Sequence, residues 1–133
     1  MKILKVYAPV FMHTDQLEES IAFYEQLLGE RSDLRVLYSE AGMEIATVDS
    51  ILLVAGSEGA IAPVKEMKLL LLVDSLNEWK EELFKKGATL LSQPQEVPTG
   101  YNMFVRHPDG SLVEYVEWVK EKVAANNLIK TPF

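Results

Sequence analysis

The chain of 133 residues contains no cysteine, only two histidines and no long apolar run. Without cysteine, disulfides, thiolate metal sites and thiol nucleophiles are excluded. No stretch reaches the ~20 apolar residues that a transmembrane helix needs, and the N-terminus lacks the apolar core of a signal peptide. These absences predict a cytoplasmic protein without a membrane partner.

Basic residues are also scarce, since 13 Lys and Arg face 20 Asp and Glu and leave a net charge of −7. A surface of this sign repels phosphate backbones and anionic lipids, which argues against a nucleic-acid partner. The acidic charge either favours a cationic ligand or serves solubility alone. A glycine-rich phosphate loop and a G-x-S-x-G nucleophile elbow are also lacking.

What the chain does contain is an internal repeat. Two segments share a strand end, a helix cap, an amphipathic helix and a closing glycine, with Asp15 and Ser75 as the caps and Gly29 and Gly87 as the ends. Short apolar strands separated by polar turns follow each helix. The order β-α-β-β-β therefore occurs twice, and each copy is too small to bury its own sheet. This predicts an α+β fold of two paired modules with a shared pocket.

The predicted boundaries treat 1–133 as one domain. Module 1 covers about 1–60 and module 2 about 67–119, while 120–133 form a polar tail. Glycines, alanines and a proline mark 56–66 as the linker between the modules. Two prolines and a glycine predict a loop at Gln93–Gly100.

Two segments resemble a known superfamily. DQLEESIAFYEQLLG at Asp15–Gly29 and HPDGSLVE at His107–Glu114 are similar to signatures of the vicinal oxygen chelate superfamily, which includes glyoxalase I, bleomycin-resistance proteins and extradiol dioxygenases. The resemblance implies two βαβββ modules that form cupped mixed sheets. It says little about which reaction, if any, takes place.

The resemblance also implies a divalent metal held by His, Gln or Glu from the first and last strands of each module. Glu114 is the only matching ligand position in this chain. The other positions fall near Leu53, Lys68 and either Tyr7 or Ala8. Because one carboxylate does not hold a divalent metal tightly, no metal and no other cofactor is expected.

Two interpretations of Glu114 stay open. It contacts a ligand directly, or it forms an ion pair with Lys68 that fills the abandoned metal position. His13, just before the first helix, is expected to assist a cap or lie in solvent, and His107 is expected to serve a turn. Either interpretation of Glu114 places its carboxylate in the pocket.

Alternation along the strands extends the candidate site. If Glu114 faces inward, Trp118 does as well. On the strand at 101–106, one face carries Tyr101 and Met103 and the other carries Asn102, Phe104 and Arg106, and the choice between the faces stays open. The candidate ligand-binding residues are Glu114, Lys68, Trp118, Tyr101, Met103, Arg106 and Tyr7.

The sequence favours a metal-independent protein that binds a small aromatic or cationic organic molecule in the sheet cavity. A homodimer is expected, because open cupped sheets need covering and members of the superfamily commonly form dimers. One alternative is a metal-dependent lyase, isomerase or dioxygenase of the same superfamily. Another is a regulatory or interaction protein with a vestigial pocket.

Overall fold

The computed structural model describes residues 1–130. The strands are β1 Ile3–Met12, β2 Leu34–Tyr38, β3 Met43–Val48, β4 Ile51–Gly56, β5 Met67–Val73, β6 Thr89–Leu90, β7 Gln95–Val97, β8 Gly100–Arg106 and β9 Leu112–Trp118. The helices are α1 Leu17–Leu28, α2 Glu58–Ile61, α3 Leu76–Lys85 and α4 Lys120–Asn126.

All nine strands join in one mixed sheet in the order β2-β3-β4-β1-β5-β9-β8-β6, with β7 paired to β8. The two central strands, β1 and β5, are antiparallel to each other. Each is flanked on its other side by a parallel strand of its own half, β4 beside β1 and β9 beside β5. The structure thus confirms the predicted pair of βαβββ units in an α+β fold, while the division between about 60 and 67 stays a prediction.

Three apolar clusters hold the sheet together. Leu17 of α1 packs against β3 and β4, and Leu76 and Leu83 of α3 pack against β8 and β9. A third cluster, which includes Tyr7 and Val116, joins strands of both halves with α2 rather than with the two long helices. Because side chains alternate between the faces of a strand, this third cluster occupies the face opposite α1 and α3.

The two helix caps turn out differently. Ser75 caps α3 as predicted, since its hydroxyl accepts a hydrogen bond from the Glu78 backbone N–H. The prediction for Asp15 is wrong, because a 3-10 turn at Thr14–Gln16 precedes α1 and the His13 side chain caps that turn. The Gln16 side chain accepts the His13 N–H in return. His13 therefore assists a cap, which was one of its two expected roles.

Two segments predicted to be irregular contain regular structure. The linker at 56–66 includes α2, whose first turn Ser57 caps. The loop at 93–100 includes β7, which pairs with β8. Both segments border the cavity described below. Their conformation therefore depends on contacts with the rest of the fold.

The C-terminal segment crosses from β9 to the far edge of the sheet. After α4, the Asn127 side chain accepts a hydrogen bond from the Arg35 N–H and donates one to the Asp33 carbonyl oxygen, both at 2.9 Å. The predicted polar tail therefore ties the second half to edge strand β2 of the first, and only 131–133 of it lie outside the described residues. None of the helices within 1–130 is long and apolar enough to span a membrane.

Candidate ligand cavity

A cavity of about 390 Å³ opens on the face of the sheet opposite α1 and α3. Strands from both halves form its floor, and α2 and the segment around β7 form part of its rim. The apolar side chains that make the floor come from strands whose other faces are covered by the helices. Because these strands belong to both halves, the cavity exists only when the two halves are joined.

Aromatic side chains form much of the wall. Tyr7, Tyr38, Phe104 and Trp118 all line the cavity. The rings of Tyr7 and Trp118 lie 6.4 Å apart between centroids and are tilted by 38°. At this separation the two rings contact each other, so together they form an aromatic surface on which a flat molecule can pack.

Glu114 is the one charged residue among the lining side chains that the structure describes. It lies on β9 between Leu70 of β5 and Phe104 of β8. The Asn102 amide nitrogen donates a hydrogen bond to its Oε2 over 3.0 Å. Burial among apolar neighbours raises the pKa of Glu114 to about 7, although the Asn102 hydrogen bond opposes the shift. The cavity thus holds a carboxyl group that changes charge near neutral pH.

Asn102 is the second polar group at this point of the cavity, and the candidate set did not include it. Its side chain is only 5% exposed. Its Oδ1 is buried and receives no hydrogen bond from the described residues. An asparagine between aromatic and apolar residues of a strand is a signal for such a site, but its face could not be chosen without the register of β8 against β9.

The structure brings three of the seven candidate residues together, since Glu114, Trp118 and Tyr7 line the same cavity. Two others lie on the opposite face of β8. Met103 is fully buried in the cluster beneath α3. Tyr101 is 41% exposed, and its ring faces the Lys122 ammonium 5.4 Å away. The face of β8 that reaches the cavity is therefore that of Asn102 and Phe104.

The predicted ion pair between Lys68 and Glu114 is wrong. Met67 pairs with Leu112 and Leu69 with Val113, so β5 has one residue more than β9 at this point and Lys68 is the extra residue. Such a bulge changes the alternation of faces, so Met67 lines the cavity and Lys68 is exposed.

Arg106 also lies away from Glu114. Its guanidinium forms an ion pair with Glu66, with an N···O distance of 3.4 Å, and donates a hydrogen bond to the Gly110 carbonyl oxygen. These contacts place it at the turn between β8 and β9, outside the cavity lining. Its predicted role as a ligand-binding residue has no geometric support.

Replacing Lys68 with methionine is expected to change the free energy of unfolding by less than about 0.5 kcal/mol, because an exposed side chain without a buried partner contributes little. Urea denaturation at pH 7 would measure the change. A loss above about 2 kcal/mol would show that Lys68 compensates a buried charge after all.

The cavity residues do not fit a divalent metal. At and beside the positions that the superfamily resemblance marks, the side chains in the cavity are Tyr7, Leu52, Met67 and Glu114. Leu53, the residue predicted to correspond to Glu114, is instead buried beneath α1. Burial, with Asp33 and Asp49 nearby, raises the pKa of Tyr7 to about 12, so its phenol stays protonated.

A divalent cation needs three or four converging ligands, and this set offers one carboxylate. No group of three or more His, Cys, Asp or Glu side chains with metal-binding geometry occurs within 1–130.

Comparison with known proteins identifies the family. The family model described as "Glyoxalase/Bleomycin resistance protein/Dioxygenase superfamily" matches residues 7–115. The chain therefore belongs to this superfamily, as its two signature segments and its fold indicated. Among curated proteins, none matches the chain.

Solved structures share the fold over most of the chain. An uncharacterized protein from Methanosarcina mazei is 39% identical, with a TM-score of 0.83 over 100% of both chains. Methylmalonyl-CoA epimerase from Mycobacterium tuberculosis is 18% identical, with a TM-score of 0.69 over 92% of this chain and 93% of that chain. The Streptomyces coelicolor epimerase, solved with 2-nitronate-propionyl-CoA, is 16% identical, with a TM-score of 0.66 over 90% and 97%. At these identities the epimerases show a common fold and no common reaction.

Proposed function

We propose that this protein binds a small aromatic or cationic organic molecule in the sheet cavity without the help of a metal ion. The observation that carries the proposal is an apolar cavity of about 390 Å³ with one carboxylate and its asparagine partner in the wall. Concave, mostly apolar sites with few polar groups are typical of small-molecule binding.

Three features support this class of ligand. Aromatic walls stack on flat molecules and attract positive charge. Glu114 is an anionic anchor without a cationic neighbour in the described lining. The net charge of −7 would also raise the local concentration of cations. A vestigial pocket would be filled by its own side chains, whereas this one is open.

A fluorescence titration tests the binding function. Trp118 lies in the cavity, whereas Trp79 belongs to α3 and packs against the cluster on the opposite face of the sheet, so a Trp79→Phe background reports on the cavity alone. Flat two-ring compounds of positive, neutral and negative charge would be titrated into this background. Saturable quenching at one site per chain is expected for at least one of them.

A cavity-filling variant supplies the control. Val64 lines the rim, and Val64→Phe should reduce the affinity at least tenfold while preserving thermal stability. If no compound of any charge quenches Trp118, or if Val64→Phe does not weaken the binding, the proposed site is refuted.

Purified protein is expected to contain no stoichiometric transition metal, because one carboxylate among apolar residues does not hold one. Elemental analysis would measure the content, and a chelator should leave the melting temperature unchanged. About one nickel, zinc, iron or manganese per chain would instead favour the alternative, a metal-dependent lyase, isomerase or dioxygenase.

We also propose a cytoplasmic homodimer. Ile3, Leu4 and Val6 of central strand β1 are 45%, 57% and 48% exposed, which leaves an apolar strip that a second copy would cover. Light scattering should give twice the chain mass of 15.0 kDa. A single-chain mass at micromolar concentration would contradict the dimer.

A further inference from the structure

Two oxygen acceptors on neighbouring residues of the cavity, Asn102 Oδ1 and Glu114 Oε1, have no donor among the described residues. Asn102 Oδ1 is buried without a hydrogen bond, and Glu114 accepts a side-chain hydrogen bond on Oε2 alone. Rotating the Asn102 side-chain amide by 180° would leave its nitrogen without an acceptor instead. One atom of the amide therefore stays unpaired in either orientation. Leaving a buried polar atom unpaired costs about 1–3 kcal/mol, so the site is incomplete without a further donor.

The missing partner must also carry charge. Leu70 and Met67 face Glu114 from β5, Phe104 and Asn102 face it from β8, and none of them is cationic. A buried carboxylate is stable only when it is paired or protonated. No lysine or arginine of the described chain belongs to the lining, so when Glu114 is ionised its compensating cation comes with the ligand.

The acceptors lack donors and the carboxylate lacks a cation. We infer that the ligand carries an amidinium-like group, which is a planar cation with at least two N–H donors. This inference rests on the proposed binding function. One donor pairs with the Glu114 carboxylate and the other with Asn102 Oδ1. A planar fork of donors suits adjacent oxygen acceptors better than a single ammonium, and charge-assisted hydrogen bonds are about twice as strong as neutral ones. The flat body of the ligand then lies between the aromatic walls.

The arrangement predicts a definite pH dependence. Burial raises the pKa of Glu114 to about 7, and the cation needs the ionised form. Tyr7 also lines this part of the cavity and stays neutral, because its pKa is raised to about 12. Lys5 lies over the Tyr7 ring at 5.0 Å but outside the lining, and Lys68 is exposed. Affinity for the cation should therefore be constant above pH 7 and fall about tenfold per unit below it.

A matched series of ligands tests the inference: 2-naphthamidine, 2-naphthamide and 2-naphthoate, which share one flat body and differ in charge. Calorimetric titration at pH 8 is expected to show that the amidine binds at least 30-fold more tightly than the amide. Glu114→Gln should abolish that preference. At pH 6, titrations in two buffers of different ionisation enthalpy should show close to one proton released per amidine bound.

Asn102→Leu removes the second acceptor at similar volume and should weaken the amidine about tenfold and the amide less than threefold. Asn77→Leu is the matched control. Asn77 is exposed on α3 and does not belong to the cavity lining. This variant should change neither affinity. Thermal melts of each variant would establish that it is folded.

The outcomes separate the inference from the function on which it rests. Equal binding of all three compounds, a preference for the naphthoate, or an amidine preference that survives Glu114→Gln would overturn the donor-pair inference and leave the binding function standing. Tight amidine binding without proton release at pH 6 would also overturn it. Failure of every naphthyl compound to bind would refute the binding function and the inference together.

Discussion

Replacing Glu114 with glutamine is expected to stabilise the protein at pH 8 by on the order of 2–3 kcal/mol and to leave its stability at pH 4 almost unchanged. In the folded protein burial raises the pKa of Glu114 from 4.5 to about 7. Folding therefore opposes ionisation of this side chain. Glutamine keeps an oxygen that can accept the Asn102 hydrogen bond, but it carries no charge to bury.

The direction of the pH effect follows from the same shift. Between about pH 4.5 and 7 the folded state binds more protons at Glu114 than the unfolded state, so wild-type stability should fall as the pH rises through this range. Above pH 7 both states are ionised and the penalty stays constant. The stabilising effect of Glu114→Gln should therefore grow between pH 4.5 and 7 and then level off.

Urea denaturation of wild type and variant at pH 4, 6 and 8 would measure the effect. The matched control is Glu81→Gln, which removes an exposed charge from α3 and should change stability by less than about 0.5 kcal/mol at each pH. Destabilisation by Glu114→Gln at pH 8 would mean that the carboxylate has a partner in the folded protein that the cavity geometry does not contain.

Replacing Gly100 with alanine is expected to destabilise the protein by on the order of 4 kcal/mol or more. A Cβ atom at this position would lie 2.1 Å from the Glu117 carbonyl oxygen and 3.0 Å from the Trp118 Cα. These atoms belong to the backbone of the adjacent strand, so a rotamer change cannot relieve the contact. β8 and β9 would have to separate at the end of the cavity where Trp118 lies.

Gly59 supplies the control for this prediction. A Cβ atom at Gly59 would meet nothing within 4 Å, and the residue lies in α2, so Gly59→Ala should be neutral or stabilise by up to about 1 kcal/mol. Chemical denaturation would compare the two variants, and the near-ultraviolet circular dichroism of Trp118 would report on the strand end. A Gly100→Ala protein as stable as wild type would show that β8 and β9 are not held as closely as described.

The internal repeat determined most of the architecture. Helical and strand periodicities are local, so the order of elements and the α3 cap at Ser75 follow from the sequence. The superfamily resemblance of its turn and strand implied the position of Glu114 in the cavity, and Trp118 follows by alternation. Each of the two signature segments is a continuous stretch of residues, so the superfamily could be indicated from the sequence alone.

The remaining part of the site depends on register, which only the assembled sheet determines. One extra residue in β5 exposes Lys68 and directs Met67 to the cavity. The pairing of β8 with β9 puts Asn102 beside Glu114 and buries Met103 beneath α3. The sequence alone thus indicated the repeat, the strands other than β7 and one carboxylate. The tertiary structure decided which side chains surround that carboxylate, because a shift of one residue in register moves every side chain of a strand to the other face.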